Sequence, residues 1–225
     1  METLLPASEV ETAANPQFSV IWLHGLGADG SDFVPVVPEL GLPDELAIRF
    51  IFPHAPSIPV TCNEGYVMPA WYDIISLEIS SRLVDEAGIL SSCQAIARLI
   101  ARENQRGIPS HRIFIAGFSQ GGAIAYATAL TYPEKLAGVL ALSTYLPLPG
   151  LLADKAVLAN RAIPIFAAHG TEDEVVPIEL GLAARDFLLE RGYRLEWHDY
   201  PMPHSVCLEE IKVIGKWLGD IMAAC

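Results

Sequence analysis

Short apolar runs rich in β-branched residues alternate along the chain with stretches whose apolar residues recur every three or four positions. A continuous apolar run predicts a strand covered on both faces, and the longer spacing predicts an amphipathic helix. Alternation of the two is typical of an α/β protein with a mainly parallel central sheet and helices on both faces. Five runs predict such strands: Phe18–Leu23, Ala47–Phe52, Arg112–Ala116, Gly138–Leu142 and Pro164–Ala168.

The run Arg194–Tyr200 has a different pattern. Its apolar residues Leu195 and Trp197 fall on one face, and charged residues fall on the other. A half-exposed strand near the edge of the sheet has this alternation. Between the strands, the apolar spacing and the glycine and proline positions predict helices over 89–107, 121–130, 178–191 and 208–222.

One long segment, Pro56–Gly88, does not fit this alternation and is rich in proline, glycine and aromatic residues. A connection of this length in a compact domain usually carries function or covers a site. The connection between the Gly138 and Pro164 strands is short, which leaves little room for a large cap domain. We therefore expect one domain over residues 1–225.

Composition and charge exclude several classes of protein. The chain has 225 residues, of which 52% are hydrophobic and 18% charged, so it can bury a substantial core. The net charge is −13, and the 14 lysines and arginines are scattered, which argues against nucleic acid and anionic lipid as partners. No apolar run approaches the roughly 18 residues that a membrane span needs.

The N-terminus has no basic segment followed by an apolar stretch, so we expect no signal peptide. The four cysteines are sparse for a disulfide framework and lack the paired spacing of metal ligands: Cys62, Cys93, Cys207 and Cys225. We expect reduced thiols in a cytoplasmic protein.

The strongest local motif is Gly117-Phe118-Ser119-Gln120-Gly121, which follows a predicted strand and opens a predicted helix. This is the context of the G-x-S-x-G turn that exposes a nucleophilic serine at the carboxyl end of a strand. The turn is so tight that the positions two before and two after the serine require glycine. The alternative is a glycine-rich turn without function.

A serine hydroxyl needs a base, and in this fold the chain order is nucleophile, acid, histidine. His204 satisfies that order, because it lies in the loop after the last predicted strand. The other histidines precede Ser119, precede any suitable acid, or lie on the polar face of the edge strand: His24, His54, His111, His169 and His198. The alternative for His204 is an ordinary loop histidine.

The acid is expected in the loop after the Pro164 strand, which contains Glu172, Asp173 and Glu174. We prefer Asp173, because a short side chain fixes the imidazole more rigidly. The sequence leaves Glu172 open, and it also leaves open that all three carboxylates are merely solvated.

Acyl transfer also needs two N–H donors for the developing oxyanion. One is predicted to be the backbone N–H of Gln120, directly after the nucleophile. The other is predicted to be Leu26, in the glycine-rich loop His24–Gly30 after the first predicted strand. By itself, that loop is equally typical of an ordinary strand-to-helix turn.

With these residues, the chain resembles the phospholipase/carboxylesterase family of α/β-hydrolases, which includes bacterial carboxylesterases and acyl-protein thioesterases. The resemblance implies the α/β-hydrolase fold, the triad Ser119, Asp173 and His204, no cofactor, and often a homodimer. The matching blocks are Val20–Gly30, Pro53–Pro56, Met68–Asp73, Ile113–Gly122, Ala141–Tyr145, His169-Gly170 with Asp173, and Tyr200–Met202 with His204.

Two features depart from the family pattern. Pro203 stands where glycine is expected, just before the histidine. The segment after Asp73 is shorter than usual, which puts the acyl chain length in doubt. Five residues of this region are candidates for the apolar wall of the acyl pocket, with core packing as the equal alternative: Met68, Trp71, Ile74, Ile75 and Leu77.

The sequence thus predicts a serine carboxylesterase that hydrolyses short- to medium-chain carboxylic esters. An acyl-protein thioesterase or lysophospholipase is the first alternative, although the acidic net charge weakly disfavours a basic target near a membrane. A non-catalytic binding protein of the same fold is the second alternative.

Overall fold

A computed structural model describes residues 4–76 and 85–224. Within these ranges the chain forms nine strands and five α-helices. The strands are β1 Ala7–Glu11, β2 Phe18–Leu23, β3 Ile48–Pro53, β4 Ser57–Val60, β5 Tyr66–Pro69, β6 Ile113–Phe118, β7 Gly138–Leu142, β8 Pro164–Gly170 and β9 Arg194–Tyr200. The helices are α1 Glu86–Gln105, α2 Gln120–Thr131, α3 Pro149–Lys155, α4 Ile178–Glu190 and α5 Leu208–Ala223.

Seven strands form one sheet in the order β1-β3-β2-β6-β7-β8-β9. All neighbouring pairs are parallel except β1 and β3, which are antiparallel. The six predicted strands are confirmed, with bounds shifted by at most two residues, and β9 lies at the sheet edge as its alternating pattern predicts. β1 was not predicted, because its short sequence ASEVE carries one apolar β-branched residue.

An ionic network holds β1 against the body of the domain. The carboxylate of Glu103 is fully buried and accepts hydrogen bonds from Ser19 Oγ (2.7 Å), Arg49 Nη1 (2.7 Å) and Arg106 Nη1 (3.0 Å). Arg106 also pairs with Glu9 of β1, at 2.9 Å. A buried charge is tolerated when it is paired and hydrogen-bonded in this way. The network anchors the edge strand β1 near the start of β2, at the end of the sheet remote from Ser119.

Each face of the sheet packs against its own helices. Alternate side chains of the central strands enter one cluster with α1, α2 and α4, and the others enter a second cluster with α5. Helix α2 is buried along Gln120–Leu130, since it lies between the sheet and α1. The predicted parallel sheet with helices on both faces is confirmed.

The long segment Pro56–Gly88 contains the antiparallel hairpin β4–β5. In the described ranges, the connection from β7 to β8 holds only α3 and a short 3-10 helix at Leu158–Asn160, so no large cap covers the sheet there. Among the described helices, none has the length and apolar character required to cross a membrane.

Candidate active site at the carboxyl edge of the sheet

Ser119 lies in a tight turn between β6 and α2. Its backbone has φ 55° and ψ −122°, a strained conformation that L-residues rarely adopt outside functional sites. A Cβ at Gly117 would lie 2.3 Å from the backbone of Gly121, and a Cβ at Gly121 would lie 2.5 Å from the carbonyl oxygen of His24. Both glycines are therefore required by close backbone approach, as the motif predicts.

Three side chains that the sequence places far apart form one hydrogen-bonded chain. His204 Nε2 lies 2.9 Å from Ser119 Oγ, and His204 Nδ1 lies 2.6 Å from Asp173 Oδ2. Because an ionised carboxylate only accepts, Nδ1 carries the proton and Nε2 is free to accept from the serine hydroxyl. This is the geometry in which a histidine can take the proton of a serine.

Of the three carboxylates in the acid loop, Asp173 is the one that meets His204. Its side chain is buried, whereas Glu172 and Glu174 are exposed. The backbone N–H groups of Val175 and Val176 donate to Asp173 Oδ1, at 2.9 and 2.8 Å. These bonds hold the carboxylate so that Oδ2 faces the imidazole.

The acid and histidine loops are held together because they follow the neighbouring parallel strands β8 and β9. The N–H of Glu172 donates to the carbonyl of Met202, at 3.1 Å. A Cβ at Gly170 would lie 2.3 Å from that same carbonyl oxygen, so only glycine allows this approach. Pro203, which departs from the family pattern, leaves His204 in place, and the ring of Phe118 packs 4.7 Å from the imidazole centroid.

The predicted oxyanion donors lie on the two loops that border Ser119. Within the described residues, neither the Leu26 N–H nor the Gln120 N–H donates to a protein acceptor. Leu26 is partly exposed and Gln120 is buried, at the N-terminus of α2. The positive end of the helix dipole therefore lies beside the serine.

His24 is a site residue that the sequence motifs do not assign to catalysis. It is buried; its Nδ1–H donates to the Gly25 carbonyl (2.7 Å), and its Nε2 accepts from the Ala55 N–H (3.1 Å). Burial lowers the pKa of His24, which keeps the ring neutral with one proton. Its position directly before Gly25 is the sequence signal that it anchors the Leu26 loop.

His169 is a second residue missed from sequence, because it precedes the acid in the chain. It is buried, its Nε2 lies 2.7 Å from the carbonyl oxygen of Val176, and burial lowers its pKa.

In the described ranges, no group of three or more His, Cys, Asp or Glu side chains is placed to hold a metal ion.

The five predicted substrate-binding residues have different environments. Trp71 and Ile74 are 2% and 5% exposed and belong to the core, which supports the core-packing alternative for both. Met68 is partly buried, with its Sδ 3.7 Å from the position of a Cβ on Gly27. Ile75 is 45% exposed, and Leu77 lies outside the described residues.

The fold and the arrangement at its carboxyl edge define an α/β-hydrolase. Residues 6–221 match the family described as phospholipase/carboxylesterase, and the chain belongs to that family. This confirms the family that the sequence motifs indicate.

Three similar proteins show how the chain relates to others. It is 44% identical over 225 residues to acyl-protein thioesterase 1 of Neurospora crassa, covering 96% of this chain and 90% of that protein. It is 37% identical to the Oryza sativa subsp. japonica protein named "Probable carboxylesterase Os04g0669500", covering 98% of this chain and 84% of that protein. The crystal structure of Zea mays acyl-protein thioesterase 2 matches with a TM-score of 0.85 at 27% identity, covering 96% of this chain and 99% of that one.

These similarities support an ester-hydrolysing enzyme. They also favour the alternative over the main prediction from the sequence, because acyl-protein thioesterase 1 is the name of several relatives at about 40% identity.

Proposed function

We propose that the chain is a serine hydrolase of acyl thioesters, of the acyl-protein thioesterase kind, with Ser119 as nucleophile, His204 as base and Asp173 as the acid that orients it. The observation that carries this proposal is the continuous hydrogen-bonded chain from Ser119 Oγ through His204 to Asp173, with separations of 2.9 and 2.6 Å.

In the first half of the reaction, His204 Nε2 takes the Ser119 proton while Oγ attacks the acyl carbon. The carbonyl oxygen becomes negative and is held by the N–H groups of Leu26 and Gln120. The resulting imidazolium is stabilised by Asp173 and gives its proton to the departing sulfur or oxygen. The product is an acyl ester on Ser119 and a free thiol or alcohol.

In the second half, His204 Nε2 takes a proton from water, and the resulting nucleophile attacks the acyl carbon of the ester on Ser119. The same two N–H groups hold the second oxyanion. The proton returns from His204 to Ser119 Oγ, which releases a carboxylic acid and restores the enzyme.

We place the thioester before the ester because several relatives at about 40% identity are named acyl-protein thioesterase 1. This support is stronger than the objection from the acidic net charge. Net charge describes average behaviour over the whole surface, whereas recognition occurs at one local site. Of the predicted acyl wall, Met68 and Ile75 keep the role of lining residues in this proposal, because both side chains are partly exposed to solvent.

A carboxylesterase for short- to medium-chain esters is the second candidate. It is favoured by the described connection from β7 to β8, which forms no large cap. A peptide carrying S-octanoyl-cysteine and the matched peptide carrying O-octanoyl-serine separate the two candidates. We expect a higher kcat/KM for the thioester after correction for its intrinsic reactivity, and the reverse order would establish the ester as the preferred substrate.

Labelling with a fluorophosphonate tests whether Ser119 is activated at all. We expect mass spectrometry to find the phosphonyl adduct on Ser119 in the wild type, with strong loss of labelling in His204→Ala. His198→Ala is the matched control, since His198 lies on β9, and its Nε2 pairs with Glu196 at 2.7 Å. Absence of labelling in the wild type would favour the non-catalytic binding protein.

A further inference from the structure

We infer that Trp71 is a positioning residue that joins the two loops carrying the oxyanion donors and sets the distance between the N–H groups of Leu26 and Gln120. This inference rests on the proposed function. It gives Trp71 a different role from the wall of the acyl pocket that the sequence suggested.

The indole of Trp71 contacts the first of the two loops. Its Nε1–H donates to the carbonyl of His24, with a separation of 2.9 Å. The two rings also pack against each other, with centroids 5.2 Å apart. Since His24 lies two residues before Leu26 and is fixed by its own bonds to Gly25 and Ala55, the indole holds the base of the Leu26 loop.

The main chain of the same segment contacts the second loop. The N–H of Trp71 donates to Gln120 Oε1 at 2.8 Å, and Gln120 Nε2 donates to the carbonyl of Tyr72 at 2.7 Å. The Gln120 side chain is thus held at both ends of its amide in a buried environment. Gln120 is the residue whose backbone N–H is the proposed second donor.

The segment has its own anchors, so it can act as a fixed strut rather than follow the loops. Ser92 Oγ on α1 donates to the Trp71 carbonyl. The N–H of Ala70 donates to the carbonyl of Pro56 at 3.0 Å, and a further bond to the Leu26 loop runs from the N–H of Gly27 to the carbonyl of Pro69 at 2.9 Å. Residues 69–72 therefore contact the Leu26 loop, the nucleophile turn and α1 together.

A strut of this kind matters for catalysis because oxyanion donors act only when they are already aimed at the position that the charge will occupy. Loss of one donor costs about 100- to 1,000-fold in kcat, so a displacement of one loop relative to the other is expected to cost part of that. Such a displacement should weaken the binding of the tetrahedral intermediate more than the binding of the ground-state substrate.

The test compares Trp71→Phe with Trp22→Phe. Both tryptophans are at most 2% exposed, but among the described residues Trp22 Nε1 has no hydrogen-bond partner, so its replacement removes no bond. For Trp71→Phe we expect kcat on the S-octanoyl peptide to fall about 10-fold or more, with KM within about twofold, and the Ki of octylboronic acid to rise in parallel. Trp22→Phe should leave all three values within about twofold.

Gln120→Met is the second variant, because it removes both side-chain bonds to residues 71–72 while it keeps the backbone N–H. It should show the same fall in kcat, and the double variant with Trp71→Phe should lose less than the product of the two single losses. Equal behaviour of Trp71→Phe and Trp22→Phe, or a change in KM alone, would overturn the inference. Failure of the wild type to hydrolyse the peptide or label Ser119 would instead overturn the proposed function.

Discussion

His169 Nε2 lies 3.5 Å from Asp173 Oδ2, the same carboxylate oxygen that His204 Nδ1 contacts at 2.6 Å. His169 Nε2–H also donates to the carbonyl of Val176, whose own N–H donates to Asp173 Oδ1. The lowered pKa of His169 keeps this ring neutral. A second, neutral imidazole therefore braces the acid loop next to the carboxylate that His204 contacts.

Replacement of His169 should impair the orientation of Asp173. We expect His169→Phe to lower kcat/KM about tenfold, because the ring volume is kept while the N–H donor to Val176, next to the carboxylate of Asp173, is lost. His169→Gln should recover part of the loss, since its amide N–H can donate from a similar position. The measurement is the steady-state kcat/KM of both variants beside the wild type; an unchanged rate in His169→Phe would contradict the idea.

The choice between the neighbouring acids can be tested directly. Asp173→Asn should lower kcat about 1,000- to 10,000-fold, because an amide N–H facing Nδ1 favours the tautomer of His204 that cannot accept from Ser119. Glu172→Gln is the matched control, because Glu172 is exposed and adjacent in sequence. Equal losses in steady-state assays of the two variants would mean that the acid is misassigned.

The sequence was sufficient for the parts of the fold that depend on local pattern. The central strands were predicted because both of their faces are apolar, as their packing against helices on each side requires. β1 could not be predicted because its sequence carries one apolar β-branched residue, and the groups that hold it lie far along the chain: strand β3, and Arg49 and Arg106, which pair with Glu11 and Glu9.

Within the site, the motifs predicted which residues meet, but not which residues support them. Ser119, Asp173 and His204 could be chosen because the chain order and strand ends are fixed by the fold. The orientation of Trp71 could not be predicted, because the partner of its indole is a carbonyl 47 residues away. Chain order excludes His169 as the catalytic base, but its contacts with the acid loop depend on position in space and not on chain order.

A buried acid near the histidine loop should make stability depend on pH. Burial raises the pKa of Glu210 to about 8, from an ordinary value of 4.5, and in the described residues its Oε1 has no hydrogen-bond partner. Between these two pH values the unfolded chain releases a proton that the folded chain keeps. The free energy of unfolding therefore falls as pH rises from about 4.5 to about 8. The expected fall is on the order of a few kcal/mol, since each pKa unit corresponds to about 1.4 kcal/mol.

Glu210→Gln should remove this dependence, because the amide does not titrate. Calorimetric melting between pH 5 and pH 9 should give a flatter curve of Tm against pH for the variant than for the wild type. The Tm of the variant should exceed that of the wild type most clearly above pH 8. Glu209→Gln provides the control, since the neighbouring Glu209 is exposed. A wild-type Tm that does not fall over this interval would show that Glu210 is stabilised as a carboxylate.

Two glycines of α5 should respond in opposite directions to alanine, because an added Cβ would collide with backbone at only one of them. A Cβ at Gly215 would lie 1.7 Å from the carbonyl oxygen of Leu40, in the 3-10 helix Val34–Leu40, so α5 must move away from that helix. We expect Gly215→Ala to lower the free energy of unfolding by about 1–3 kcal/mol.

At Gly219, one turn further along α5, the nearest atom to an added Cβ is Pro43 Cδ at 3.9 Å, an ordinary contact. Gly219→Ala should therefore raise the free energy of unfolding by about 0.5–1 kcal/mol, because alanine loses less conformational entropy than glycine on forming a helix. Urea unfolding of both variants, with the m-value held equal to the wild type, measures the two changes. A destabilised Gly219→Ala, or an unaffected Gly215→Ala, would mean that α5 packs on Val34–Leu40 in a different rotation about its axis.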